Sequence, residues 1–101
     1  MKLNEKEIQE ISQKVAVFIS NYVLRRISTK HLYVLDVHVD LHYLNDLDKY
    51  VLDVFVYIDA NPFCGVDVEK LINDAIEEGL RIAKEELRRW GIEEIKFEGE
   101  D

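Results

Sequence analysis

The chain has 101 residues, enough for one domain around one core, and 48% of them are apolar, which excludes an intrinsically disordered protein. The formal net charge of −8 opposes non-specific binding to nucleic acid or to an anionic membrane surface. No apolar run approaches the roughly 20 residues of a membrane span, and the N-terminus lacks a basic-then-apolar signal pattern. The single cysteine, Cys64, rules out an intrachain disulfide, so a cytoplasmic location is expected. A charged fraction of 34% with one Cys and one Met leans towards a thermophilic source.

The first predicted element is a helix. Asn4 and Glu7 have the spacing of a capping box, and Leu3 and Ile8 that of the accompanying hydrophobic staple. Ile8, Ile11, Val15, Phe18 and Tyr22 form one apolar stripe, with Ala16, Ile19, Val23 and Ile27 beside it. The helix is expected to end near Ile27 and to need a partner as broad as a sheet.

Leu32–Asp59 supplies that sheet. Its two halves, LYVLDVHVDLHYL and YVLDVFVYID, alternate strictly and flank a polar break, as in a long antiparallel hairpin. Tyr33, Leu35, Val37, Val39, Leu41 and Tyr43 share one face with Tyr50, Leu52, Val54, Val56 and Ile58 when Tyr43 is paired with Tyr50. A one-residue slip would expose that set, so the register is strongly specified.

Asn61-Pro62 ends the second strand, because proline offers no N–H to the ladder. Asp67 is placed as an N-cap, and Val68, Ile72, Ala75, Ile76, Gly79, Leu80, Ala83, Leu87 and Trp90 keep helical spacing. Glu77 with Arg81, and Glu85 with Arg89, are candidate i,i+4 ion pairs. Gly91 and Ile92 fit a Schellman ending, and the mid-helix Gly79 implies a close approach to the first helix or the sheet. Glu94–Glu98 alternates as a short third strand with Ile95 and Phe97 inward. The expected domain therefore spans residues 1–98, with a short acidic tail over 99–101.

The fold class that follows is α+β: an α-β-β-α-β two-layer sandwich with both helices on one face of the sheet. A right-handed crossover lays the third strand parallel to the second. The expected strand order is 2-1-3, with 1-2-3 disfavoured because adjacent parallel strands would crowd the crossover helix.

The face without helices is where function is sought. It would carry Asp36, His38, Asp40 and His42 from the first strand and Val51, Asp53, Phe55, Tyr57 and Asp59 from the second. Val51, Phe55 and Tyr57 form an apolar patch suited to a protein partner. The imidazoles and carboxylates suggest a divalent metal held by His38, Asp40, Asp53 and His42. Strand residues i and i+2 lie about 6.6 Å apart and point the same way, so His38 with Asp40, or Asp40 with His42, can share an ion. His38 and His42 are too far apart to do so. Asp40 should face Asp53, an unfavourable pair that a cation or a basic group would relieve.

Two further features lie outside that face. Cys64 precedes a helix N-terminus, which can activate a thiol, but no base accompanies it; a small loop residue packed beside Phe63 is the simpler expectation. Arg25, Arg26, Lys30 and His31 form a local basic cluster that could contact RNA or complete the helix C-terminus. No phosphate loop, dinucleotide fingerprint, Cys-x-x-Cys or His-Glu-x-x-His motif is present, and no cofactor is implied.

The run V-x-V-x-I-D-x-x-P from Val54, followed by V-D-V-E-K-L-I-N-D-A-I-E-E-G from Val66, resembles a family of short archaeal proteins of unknown function, often encoded near the prefoldin β subunit. The similarity spans residues 32–90 and implies an archaeal source but no catalytic residues. The element order is also similar to the cytosolic domains of cation-efflux transporters. The leading expectation is a non-enzymatic protein–protein interaction module, a homodimer using either the Phe55/Tyr57 face or a sheet edge. The alternatives are a metal-binding regulatory domain and RNA association through Arg25–His31.

Overall fold

The computed structural model describes residues 3–100. Helix α1 (Glu5–Leu24) is followed by strands β1 (Leu32–Leu44) and β2 (Lys49–Ala60), helix α2 (Val68–Arg88) and strand β3 (Ile95–Glu100). The α+β architecture expected from the sequence is therefore present, with α1 packed on β1, and α2 on β2 and β3.

The helix boundaries have local causes. At α1 the capping box is complete: the Glu7 N–H donates to Asn4 Oδ1 at 2.8 Å, and the Asn4 N–H donates to Glu7 Oε1 at 2.9 Å. Leu3 is buried and its N–H donates to the Tyr50 hydroxyl at 2.7 Å, which ties the start of α1 to β2. At α2 the Lys70 N–H donates to Asp67 Oδ1 at 3.1 Å. The helix closes with Gly91 at φ 77°, Gly91 N–H donating to the Arg88 carbonyl at 2.9 Å and Ile92 N–H to the Leu87 carbonyl at 3.0 Å. Those are the two bonds of the Schellman ending. Trp90 lies beyond the helix and is exposed, so the apolar spacing that pointed to it does not continue into the core.

The hairpin register is the expected one, with Tyr43 opposite Tyr50, Leu41 opposite Leu52 and Leu35 opposite Ile58. It departs at one point. Leu32 faces Ala60 and Val34 faces Asp59, so Tyr33 is an extra residue in β1. A bulge of this kind removes a side chain from its alternation, and Tyr33, expected inward, is 60% exposed.

Strand order is β1-β2-β3, which corrects the expected 2-1-3. β3 is parallel to β2, as expected, but pairs with it directly, Tyr50 facing Ile95 and Leu52 facing Phe97. The reason lies in the helix layer. Because α1 occupies the space over β1, α2 returns over β2 and delivers β3 to β2's open side; order 2-1-3 would have required α2 to cross above β1. Gly99 and Glu100 continue β3 rather than forming a tail, and Asp101 lies outside the described residues.

The core joins Ile11, Val15, Ile19 and Val23 of α1 to Leu52, Val54 and Val56 of β2 and to Ala75, Ala83 and Leu87 of α2. The ion pairs on α2 differ from those expected. Arg81 bonds both Glu78 and Glu85 at 2.9 Å, and Arg89 lies 3.6 Å from Glu86. Glu86 also receives Lys14 of α1 at 2.7 Å, bridging the helices.

Gly79 lets the helices meet. A Cβ there would lie 2.5 Å from Ile19 Cδ1 and 2.7 Å from its Cγ1, so the fully buried Ile19 side chain would have to shift within the core. Gly79→Ala would gain about 1 kcal/mol of helix propensity but incur an overpacking cost of about 1–3 kcal/mol. Urea unfolding should show a net loss of about 1 kcal/mol; a variant more stable than the parent would show that the helices do not approach this closely.

Candidate functional site

With both helices on one side of the sheet, the other side has no cover from the described residues. The pairing across it runs Val34 with Asp59, Asp36 with Tyr57, His38 with Phe55, Asp40 with Asp53 and His42 with Val51. Apart from the Asp40/Asp53 pair, each polar residue thus faces an apolar one.

The imidazoles divide into two local groups. His38 Nε2 lies 2.9 Å from Asp36 Oδ1, and its ring packs on Phe55 with centroids 5.9 Å apart. His42 Nδ1 lies 2.9 Å from Asp40 Oδ2 and 3.9 Å from Asp53 Oδ2. One ligand atom each from Asp40, His42 and Asp53 falls within 4.8 Å of the other two, a spacing that could hold a cation. His38, counted with them from sequence, turns towards Asp36 instead. The i,i+2 rule allowed Asp40 to pair with either imidazole; the ring of Phe55 opposite His38 gives that imidazole a different resting place.

The apolar patch is smaller than expected. Val51 is only 3% exposed, lying in register between His42 of β1 and Lys96 of β3, so it offers little surface to a partner. Phe55 is half-buried and Tyr57 is 48% exposed. β3 on the far side of β2 covers Val51, and that cover follows from the strand order that the alternation pattern did not reveal.

Two other expectations resolve simply. Cys64 is half-buried against the core, with its thiol 3.6 Å from the Val66 carbonyl; Phe63 is 89% exposed, so the two do not pack together. In the basic cluster, the Arg26 guanidinium lies 3.4 Å above the Tyr22 ring and donates to the Tyr22 carbonyl at 3.0 Å, completing the end of α1.

The sequence also left a groove unnoticed. Ile8, Gln9, Ser12, Gln13 and Ala16 of α1 line it on one side and the β1 segment 37–41 on the other, so its lining mixes polar and apolar groups. Val37 and Val39 are half-buried there, and among the described residues no strand pairs with the outer edge of β1. The small side chains of Ser12 and Ala16, one turn apart, were the available signal.

The Asp40/Asp53 pair yields a measurable consequence. Asp40→Asn keeps an acceptor for His42 and removes one of two facing charges. Urea unfolding at pH 8 and low salt should show a gain of about 0.2–1 kcal/mol, shrinking as salt is added. A clear loss of stability would mean that the two carboxylates are held together by something that requires both charges.

Comparison with known proteins places the fold in a lineage. The uncharacterized protein PH0533 of Pyrococcus horikoshii is 28% identical over 88 residues, covering 87% of this chain and 73% of that protein. The solution structure of the hypothetical protein mth677 from Methanothermobacter thermautotrophicus superimposes with a TM-score of 0.63 at 23% identity, covering 89% of this chain and 90% of that one, and so shares the fold. Both relatives are archaeal and uncharacterised. The family model described as "Protein of unknown function (DUF3194)" matches residues 1–85, and this chain belongs to that family.

Proposed function

We propose that the protein is a non-enzymatic interaction module that acts by self-association, in its simplest form as a homodimer. The observation that carries this reading is the open edge of β1. It is 13 residues long, against the usual five or six for a strand, and one side of it is a groove floored by half-buried valines. An edge of this length presents a row of backbone donors and acceptors that a further strand can satisfy, and natural proteins ordinarily shorten or cover such edges. Phe55 and Tyr57 sit one strand in from that edge, on β2 opposite His38 and Asp36, and add apolar surface to the outer face.

A specific observation favours a second activity on the same face. The imidazole of His42 and the carboxylates of Asp40 and Asp53 form a mixed nitrogen and oxygen ligand set, which suits a borderline divalent ion such as Zn²⁺. With three protein ligands the ion would keep an open position and serve as a regulatory link between the face and a partner.

Light scattering across a concentration series should give twice the 11.9 kDa chain mass at high concentration. Phe55→Asp should leave that mass unchanged if the edge is the contact and halve it if the face is. A parent protein that stays at the mass of one chain throughout would overturn self-association. For the metal, calorimetric titration of untagged protein with Zn²⁺ should show one site per chain that disappears in His42→Ala; no heat of binding in the parent would remove it.

A further inference from the structure

We infer that the occupant of the β1 edge is the β1 strand of a second copy, paired antiparallel about a two-fold axis at Val39. This rests on the self-association proposed above and specifies its surface and register.

Strand β1, LYVLDVHVDLHYL, carries Asp36, His38, Asp40 and His42 in alternation on its outer face. Antiparallel pairing of two copies keeps helices on one side only if like parities face each other, which leaves registers spaced two residues apart. With the axis at His38, Asp36 faces Asp40 of the second copy. With the axis at Asp40, that carboxylate faces its own symmetry mate, and His38 faces His42. Both place like groups directly opposite, which is destabilising. With the axis at Val37, Asp36 faces His38 but Asp40 faces Val34 and His42 faces Leu32. With the axis at Val39, Asp36 faces His42 and His38 faces Asp40, and the two-fold repeats both pairs.

Only that register matches all four polar side chains of each strand with a complementary partner. The bonds already present within β1 are compatible with it. His38 uses Nε2 towards Asp36 and His42 uses Nδ1 towards Asp40, leaving the other ring nitrogen of each to approach a carboxylate across the axis. Opposite residues in an antiparallel pair have Cβ atoms about 4.5–5.5 Å apart, within reach of such a contact.

The helix side of the strand agrees. The same register sets Val39 against Val39 of the second copy and Val37 against Leu41 of the second copy. The groove between α1 and β1 is mixed: these aliphatic side chains with Ile8 and Ala16 form its apolar part, while Gln9, Ser12 and Gln13 line the helix side with polar groups. The second strand therefore meets apolar contact at the β1 side of the groove only. Two three-stranded sheets become one six-stranded sheet, with the long edges removed and the shorter β3 edges left outermost.

Disulfide trapping between two variants tests the register. In full-length protein carrying Cys64→Ser, His38→Cys and Asp40→Cys are prepared separately, then mixed before refolding and oxidised. Opposed residues in an antiparallel pair have Cα atoms about 4.5–5.5 Å apart, inside the Cα separation a disulfide spans, so a small side-chain adjustment closes the bond. The mixture should give a covalent dimer on a denaturing gel, whereas each variant alone should remain a single chain. A covalent dimer from His38→Cys alone would move the axis to His38, and one from Asp40→Cys alone would move it to Asp40; either overturns the register. A dimer by light scattering with no trapping in the mixture overturns the register and leaves self-association standing. A monomer by light scattering overturns both.

Discussion

Pairing Leu41 with Leu52 and Val37 with Val56 gathers the apolar half of the hairpin on one side, and both helices depend on that choice. A slip of a single residue would turn Leu52, Val54 and Val56, all essentially inaccessible to solvent, towards water. Burying a side chain of this size contributes about 1.5–3 kcal/mol, so the three β2 residues alone make the slipped register untenable. α1 then lies over β1, α2 has room only over β2 and β3, and the third strand joins on β2's free side. Register, helix placement and strand order are one chain of consequences.

The same chain of consequences creates the outer face and the open edge. Adding β3 to β2 covers Val51 and leaves β1 as the long edge, with its Asp and His side chains on the side away from the helices. Those polar side chains serve two purposes at once. They disfavour pairing of the edge strand in the wrong register, since a misregistered copy would set carboxylate opposite carboxylate. They also admit one partner whose charges fall in the complementary order, and that order is the strand's own sequence reversed about Val39. Specificity of this kind comes as much from the registers it penalises as from the one it favours.

How much of this was legible in the sequence depended on the range of the interactions involved. The capping box of Asn4 and Glu7, the Asp67 cap, the Gly91 ending and the hairpin register rest on contacts within a few residues or on strict alternation, and all were readable. Gly79 announced a close approach, and the structure identifies Ile19 as what it approaches. The bulge at Tyr33 was not readable, because the extra residue shifts the phase of alternation inside an unbroken apolar run, Leu32-Tyr33-Val34-Leu35, that fits either phase. Strand order was not readable either, because it is decided by which helix covers which strand. At the outer face, strand geometry limited each imidazole to a neighbouring carboxylate. It could not choose between His38 and His42, a choice made by Phe55 across the ladder. The Arg81 pairs went astray because Glu78, at i−3, competes with Glu77 at i−4.

In the proposed dimer the outer edge of β1 is occupied by another β1. In an isolated chain, every second β1 amide points away from β2 into water and should exchange its hydrogen as fast as an amide in a loop. Amide hydrogen exchange measured residue by residue along Leu32–Leu44, at a concentration where the protein is associated, addresses this directly. Edge pairing predicts slow exchange at those outward amides, strongest around Val39, as well as at the amides bonded to β2. Fast exchange at the outward set, with only the β2-facing amides protected, would contradict it.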